Sequence, residues 1–229
     1  ARSEMEGLTP AYYKDNSHKT VYRKGERLIG FDINNSMVNW RAKGYRLPTE
    51  AEWEKASRGG VAGFKYSTGN LADASNAFFN QTKSDYTAIQ SVGKYSPNGY
   101  GLYDMAGNVW EACWDWYWSD WYGQPEASIA DPIGPVATRI SAEGKTYRVV
   151  RGGDGEAKLE QLESAYRKDI NKTWAQYAIG LRPVVPAPSQ RNAKVTVRVD
   201  PPFLGSAVGG GVYHIDSSAQ MQALHMEEG

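Results

Sequence analysis

The stretch NGYGLYDMAGNVWEACWDWYW, residues 98–118, decides the fold of this 229-residue chain. It holds four of the chain's eight tryptophans, together with three tyrosines and three glycines. Aromatic side chains bury a large area, and glycines let the backbone adopt left-handed conformations and approach other groups closely. The stretch therefore predicts an aromatic-packed, loop-rich core.

The composition excludes several classes of protein. The 26 basic and 26 acidic residues cancel, so no net field favours nucleic acid or an anionic membrane. A single cysteine, Cys113, rules out an intrachain disulfide and a cysteine-rich metal site, and in this aromatic run we expect it to be a small buried hydrophobe. No apolar run in the sequence is long enough to span a bilayer.

Residues 46–60, RLPTEAEWEKASRGG, predict the clearest helix of the chain. Thr49 and Glu52 have the spacing of a capping box, and two glycines end the pattern. Acidic side chains are favourable in the first turn of a helix, which accounts for Glu50, Glu52 and Glu54 without a catalytic role.

The rest of the chain predicts short strands and long loops. Ala1–Gly7 is typical of a helix end, and Tyr147–Arg151 and Ala178–Val185 read as strands. Residues 65–97 and 119–144 predict irregular loops, which in compact domains often carry function or a bound ion.

A change in composition near residue 185 predicts a domain boundary. Residues 185–191, VPAPSQR, are proline-rich like a linker. We therefore expect one domain over residues 1–185 and a linker with a small β-repeat-like segment over residues 186–229. Within that segment KVTVRVD, residues 194–200, alternates as a strand does, but the segment has too few apolar residues for a core of its own.

Three blocks occur in a fixed order: RLPTEAEWEKASRGG, then SPNGYGLYDMAGNVWEACWDW, then RVVRGG followed by AYR and IGLRPV. Together they resemble the formylglycine-generating-enzyme (sulfatase-modifying factor) superfamily, from Ala1 to about Val184. The resemblance implies an α+β, C-type-lectin-like fold with short twisted antiparallel strands, two helices and much ordered loop. It also implies that Ala1 lies part-way through the family domain, whose N-terminal part is missing. The segment after residue 185 resembles a small bacterial surface-protein repeat.

The resemblance also says where an oxidase of this family would keep its copper. Its two thiolates come from the segment between RGG and the last strand, residues 154–177 here, which contain no cysteine. Leu159 or Glu160 and Ser164 stand near the expected positions. Copper(I) needs soft thiolate ligands, and Cys113 alone cannot be a pair. We therefore expect no copper, no iron and no catalytic activity.

Other catalytic patterns are missing from the sequence. His18, His214 and His225 are far apart and have no metal-ligand spacing. No phosphate-binding glycine loop, nucleophile elbow or HExxH motif occurs. Two alternatives stay open: an oxidoreductase of the formylglycine-generating or sulfoxide-synthase type, the latter using iron held by histidines of a separate helical domain, and a structural domain of a surface protein.

The family resemblance implies structural calcium at two places. One is Asn76 with the Ala77 carbonyl, and the other is Asn108 with Glu111. Oxygen ligands on loops suit Ca²⁺. In the alternative, Asn108 serves a turn and Glu111 pairs with an arginine, Arg151 or Arg182.

The segment after RGG departs most from the family. The family usually continues with Ser-Trp, whereas this chain has Asp154–Gly155 followed by a polar run. The segment also resembles the variable proteins of diversity-generating retroelements, which diversify it on the same scaffold. We expect a binding surface with aromatic anchors at Trp174 and Tyr177. The predicted surface residues are Asp154, Glu156, Lys158, Glu160, Gln161, Glu163, Lys168, Asp169, Ile170, Asn171, Thr173, Trp174, Gln176 and Tyr177.

The sequence thus predicts a non-catalytic protein that binds an external ligand, a protein, through residues 154–177. The alternative is a degenerate paralogue whose segment has merely drifted. The resemblance to variable proteins and to the surface-protein repeat implies a monomer that is secreted or held at a bacterial cell surface. No nucleic-acid partner is expected.

Overall fold

The computed structural model describes residues 1–23, 33–82, 89–135, 147–171 and 178–186, together with two short strands at residues 194–195 and 213–214. The chain divides into two compact units, residues 1–185 and residues 186–229. All the side chains discussed below belong to the first unit.

The described residues of the first unit form two α-helices: α1, Arg2–Met5, and α2, Glu50–Arg58. The predicted capping box is confirmed, because Thr49 Oγ1 accepts from the Glu52 N–H at 3.2 Å and the Glu52 carboxylate accepts from the Thr49 N–H at 2.8 Å. Short 3-10 turns lie at Asn35–Met37, Trp121–Gly123, Pro125–Ser128 and Leu159–Leu162.

Four strands form one sheet: β1, Trp110–Trp116; β2, Tyr147–Arg151; β3, Lys168–Asn171; and β4, Ile179–Gly180. Their order is β3-β2-β1-β4. The β1–β2 and β2–β3 pairs are antiparallel, as predicted, whereas β1 and β4 are parallel. The sheet is therefore mixed, because strand direction depends on the connection and not on the alternation of residues that marks a strand.

The predicted strand Ala178–Val185 is too long. Only Ile179–Gly180 is strand, and Val184 then forms an isolated antiparallel bridge with Arg46. Pro183 lacks the N–H that a continuous ladder would need. The chain therefore leaves β1 and crosses to the segment before α2.

The second unit contains two short antiparallel strands, β5, Lys194–Val195, and β6, Tyr213–His214. The predicted strand KVTVRVD is described only at its first two residues. Its remaining residues lie outside the described part of the chain.

Both faces of the sheet are covered. Val149 and Val150 are adjacent in β2 and fully buried, so they point to opposite faces. Val149 packs in a cluster with Trp53 of α2, while Val150 packs in a cluster with Trp110 and Leu162. The sheet thus lies between helix α2 and the segment that follows β2.

The aromatic stretch is the packing centre that the sequence predicts. Trp110, Trp114 and Trp116 are all buried in β1. Gly107 has a φ of 81°, and a Cβ there would overlap the carbonyl of Phe78. The predicted loop over residues 65–97 has neither helix nor strand in its described parts, and the Phe78–Gly107 bridge ties it to this centre.

Candidate functional site

A buried ion network joins α2 to the strands on both sides of the predicted surface. Arg167 donates two hydrogen bonds to the carboxylate of Glu50, at 2.6 and 2.8 Å. Arg151 donates to Glu54 at 2.5 Å and to the Tyr166 carbonyl, and its Nε lies 3.4 Å from Glu50. Because Glu50 and Arg151 are fully buried, these pairs are removed from water. The network fixes α2 against β2 and β3.

Two further titratable groups of β1 lie near this network. Asp115 accepts from the Glu50 N–H at 2.6 Å, and burial, assisted by the charge of Glu50, raises the pKa of Asp115 to about 7. Burial also raises the pKa of the Cys113 thiol well above its usual value. Cys113 is 1% exposed, as expected of a core residue, so its thiol stays protonated and is not a ready nucleophile.

The preference for acidic side chains at a helix N-terminus explains the three glutamates of α2 only in part. It holds for Glu52, which caps the helix. Glu50 and Glu54, four residues apart, share a helix face and both reach Arg151. That spacing, read with the arginines of RVVRGG and AYR, was the signal for this network in the sequence.

The segment between β2 and β3 alternates buried anchors with outward charges. Ala157 and Leu162 pack into the cluster around Trp110, and Ser164 is buried with its Oγ 2.9 Å from the Oγ of Ser57 in α2. Between the anchors Lys158 and Glu160 are exposed. Buried side chains thus attach the segment to the core, while part of it faces solvent.

Several of the predicted surface residues also shape the local backbone. Asp154 accepts from the Glu156 N–H at 3.1 Å, and Gln161 accepts from the Lys158 N–H at 2.8 Å. Glu163 forms an ion pair with Lys65 at 2.9 Å. These half-buried side chains therefore contribute to the conformation of the segment as well as to its surface.

The predicted surface residues from Lys168 onward are partly or fully buried, or lie outside the described residues. Lys168, Asp169 and Ile170 of β3 are half-buried, and Ile170 packs on the cluster around Trp110. Asn171 is only 5% exposed, which places its side chain beneath the surface. Thr173, Trp174, Gln176 and Tyr177 lie outside the described residues.

A groove of about 630 Å³ borders the segment on the α2 side. Tyr100 and Tyr122 line it, and these residues are 52% and 45% exposed. Lys55, Arg58 and Arg167 also line it. No sequence pattern predicts this groove, because its walls come from four separate stretches of chain.

The polar groups of the predicted Asn108–Glu111 calcium pair already have partners within the protein. The amide of Asn108 accepts from the Gln90 N–H at 3.0 Å and donates to the Gln90 carbonyl at 3.2 Å. Both oxygens of Glu111 accept from Arg182, at 2.6 and 2.9 Å, so the carboxylate charge is already matched. The turn and the Arg182 ion pair of the alternative interpretation are therefore present.

The other predicted calcium ligands lie in a tight turn. Asn76 Oδ1 accepts from the Asp73 N–H at 2.9 Å, and Ala77 is buried behind it. Over the described part of the chain, no group of three histidine, cysteine, aspartate or glutamate side chains converges as metal ligands would. Calcium at Asn76 and Ala77 stays a prediction.

The positions that correspond to the copper thiolates do not fit copper. Ser164 is engaged with Ser57, and Leu159 and Glu160 face outward on the 3-10 turn. A hydroxyl, an alkyl group and a carboxylate are poor ligands for copper(I).

These contacts define a C-type-lectin-like α+β fold in which the sheet and α2 support a loop segment that partly faces solvent. The model of the sulfatase-modifying factor enzyme 1-like domain matches residues 20–187. The chain belongs to this family, as the three sequence blocks predict.

Two relatives show how far the similarity reaches. The chain is 44% identical over 139 residues to serine/threonine-protein kinase pkn1 of Chlamydia pneumoniae, covering 61% of this chain and 20% of that protein. It is 40% identical over 143 residues to formylglycine-generating enzyme of Thermomonospora curvata, covering 57% of this chain and 45% of that protein. The chain therefore spans less than half the length of either relative.

A solved structure is also similar. Treponema denticola variable protein 1 superposes with a TM-score of 0.61 at 28% identity, covering 80% of this chain and 64% of that one. This match confirms the predicted fold class and the resemblance to variable proteins. In the described ranges, no helix reaches the length and apolarity needed to cross a bilayer.

Proposed function

We propose that this chain is a non-catalytic ligand-binding protein whose binding surface is the segment between β2 and β3. The observation that carries the proposal is the alternation of buried anchors, Ala157, Leu162 and Ser164, with exposed charged side chains. Loops held on a rigid scaffold are the usual geometry of a binding surface. The similarity to a variable protein supports this reading.

The ligand chemistry of the chain supports the non-catalytic part of the proposal. The only thiol, Cys113, is a buried residue of β1 and its pKa is raised, so it offers no exposed thiolate for copper or for a substrate. The segment that would hold copper in an oxidase of the family carries Ser164 in a hydrogen bond with Ser57. The chain therefore has no thiolate pair that could bind copper for the oxidation of a cysteine peptide.

The proposed ligand is a protein. Lys158 and Glu160 place opposite charges on the exposed face of one turn, and such mixed polar side chains supply specificity for a polar protein surface. A monomer, secreted or held at a bacterial cell surface, is part of the same proposal, because an external ligand must reach the segment.

The direct test of the non-catalytic claim is an oxidation assay. The protein is supplied with copper(I), oxygen, a thiol reductant as the source of two electrons, and a cysteine-containing sulfatase peptide, and the peptide mass is followed. Formylglycine-generating enzyme of Thermomonospora curvata is the positive control. We expect the peptide to keep its cysteine, and conversion to formylglycine would overturn the proposal.

Diversification of the segment has a separate test in the neighbouring DNA. We expect a near-copy of the codons for residues 154–177 that differs mainly at adenines and lies beside a reverse transcriptase gene. If no such copy exists, the segment is a fixed surface or has drifted, and the diversification part of the proposal fails.

One comparison favours a second candidate function. The 40% identity to a formylglycine-generating enzyme fits an oxidoreductase that uses the same fold with a different metal set. Metal analysis of the purified protein separates the two candidates. Stoichiometric redox-active copper or iron would support the oxidoreductase, whereas their absence together with an inactive oxidation assay supports the binding protein.

Structural calcium at Asn76 and Ala77 remains part of the proposal. Loop oxygens of this kind are suitable for Ca²⁺. Titration of calcium into protein stripped with a chelator tests it: saturable heat that an Asn76→Ala variant loses supports the site, and no heat with the native protein rules it out.

A further inference from the structure

The groove between α2 and residues 165–167 has the features of a recognition site for a peptide. It lies beside the proposed surface, but none of its lining side chains is among the predicted surface residues. Its volume of about 630 Å³ lies within the roughly 300–1,000 Å³ range of small-ligand sites.

The walls of the groove are aromatic rings held in place by their neighbours. The guanidinium of Arg167 lies over the Tyr122 ring, 4.9 Å from its centroid. Elsewhere in the lining Gly60, with a φ of 81°, lets the Tyr100 ring approach the backbone, since a Cβ there would lie 2.9 Å from a ring carbon. Rings fixed in this way lose little entropy on binding, so they are suitable anchors for an apolar or aromatic side chain.

The charge of the groove is unbalanced. Lys55, Arg58 and Arg167 line it against one carboxylate, Glu54. Arg58 is paired with Glu54, and Arg167 with the buried Glu50. Among the described residues no carboxylate forms an ion pair with Lys55, which is exposed. The groove therefore has an unmatched cation at its rim, which favours an anionic ligand.

The length of the helical wall of the groove is suited to a short extended chain. One wall is the face of α2 that carries Ala51, Glu54, Lys55 and Arg58. At about 1.5 Å per residue this face is roughly 10 Å long, the length of about three extended residues.

We propose that this groove binds a short extended peptide segment of another protein, in which an acidic residue stands beside an aromatic or aliphatic one. The apolar side chain lies between Tyr100 and Tyr122, and the carboxylate pairs with Lys55. The inference rests on the proposed function only in requiring an external protein ligand, because the side chains involved are different.

Fluorescence anisotropy with defined peptides tests the inference. The probe is a fluorescein-labelled hexapeptide of alternating glutamate and phenylalanine, and the control peptides replace every glutamate by lysine or every phenylalanine by serine. We expect the first peptide alone to bind. Equal binding of the lysine peptide, or no binding of the first peptide at about millimolar concentration, overturns the inference.

Charge variants locate the binding. Lys55→Glu should raise the Kd of the glutamate–phenylalanine peptide at least about fivefold and Lys55→Gln about twofold, whereas Lys43→Glu, at an exposed lysine outside the groove lining, should leave it unchanged. Equal effects of Lys55→Glu and Lys43→Glu would show that binding depends only on the net charge of the protein. That result would overturn the site. The Gln variant avoids a new carboxylate near the helix C-terminus, so it serves if the Glu variant is unstable.

A competition arm separates a peptide from a small molecule. If N-acetylphenylalanine displaces the labelled peptide at the same concentration as unlabelled peptide does, the groove is a small-molecule pocket and the peptide claim fails. The outcome is also distinct from that of the proposed function, because the oxidation assay does not depend on Lys55.

Discussion

Charged side chains play opposite parts in two neighbouring regions of this molecule. In the network between α2 and β2, Glu50 and Arg151 are fully buried and matched to partners. In the turn after β2, Lys158 and Glu160 point to solvent and the burial is supplied by Leu162. The two regions thus differ in their stabilising contacts: ion pairs hold the first, and a buried apolar side chain holds the second. We therefore expect the first region to depend on its charged residues, whereas the charged residues of the second can be changed without loss of the fold.

The largest effect is expected in the buried network. Arg151→Ala leaves Glu54 without its buried partner and removes the hydrogen bond to the Tyr166 carbonyl. Breaking a buried pair by removing one partner costs about 3–5 kcal/mol of the free energy of unfolding. Urea denaturation measures it, with Lys158→Ala as the control that should change it by less than about 0.5 kcal/mol. Equal losses in the two variants would remove the distinction between the regions.

Two leucines of the same 3-10 turn sharpen the comparison within the second region. Leu162 is 0% exposed, whereas Leu159 is 44% exposed. Leu162→Ala should cost about 2–5 kcal/mol, because it leaves a cavity beside Val150 and Trp110. Leu159→Ala should cost less than about 1 kcal/mol. A similar cost for both, measured by urea denaturation, would mean that Leu162 is not the anchor of the turn.

The pH dependence of stability is a third test, directed at Asp115. Its pKa is raised from 3.8 in exposed aspartate to about 7, first by burial and then by Glu50. The native state therefore binds the proton more tightly than the unfolded state, and this stabilisation is full below about pH 4 and is lost as the pH rises through 7.

An Asp115→Asn variant isolates this contribution. The amide cannot ionise and its oxygen can still accept from the Glu50 N–H, so the variant should gain stability relative to the native protein between pH 5 and pH 8. The gain should be on the order of 2–4 kcal/mol, given about 1.4 kcal/mol per pKa unit. Parallel pH profiles of the two proteins would show that Asp115 does not titrate in this range.

Local sequence signals predicted the parts of the fold that depend on neighbours in sequence. The capping box of Thr49 and Glu52 defined α2, and Tyr147–Arg151 was identified as a strand with the bounds that the structure has. The three sequence blocks predicted the family, which the domain match confirms.

What the sequence did not predict depends on contacts between distant residues. Glu50 and Arg167 are 117 positions apart, and the Glu50–Glu54 spacing places both glutamates on one face of α2 without indicating what that face contacts. The parallel pairing of β4 with β1 is set by the chain that connects them, so an alternating pattern cannot reveal it. The groove likewise exists only where Tyr100, Tyr122 and α2 meet.

The smallest expected effect tests the central claim, that the outward residues after β2 can vary while the buried anchors keep the scaffold. A triple variant replaces the exposed residues Lys158, Leu159 and Glu160 by serine and keeps Ala157, Leu162 and Ser164. Its free energy of unfolding in urea should lie within about 1 kcal/mol of the native value, because surface substitutions away from buried contacts have small effects. A loss of more than about 3 kcal/mol would show that these side chains hold the fold, and would contradict the account.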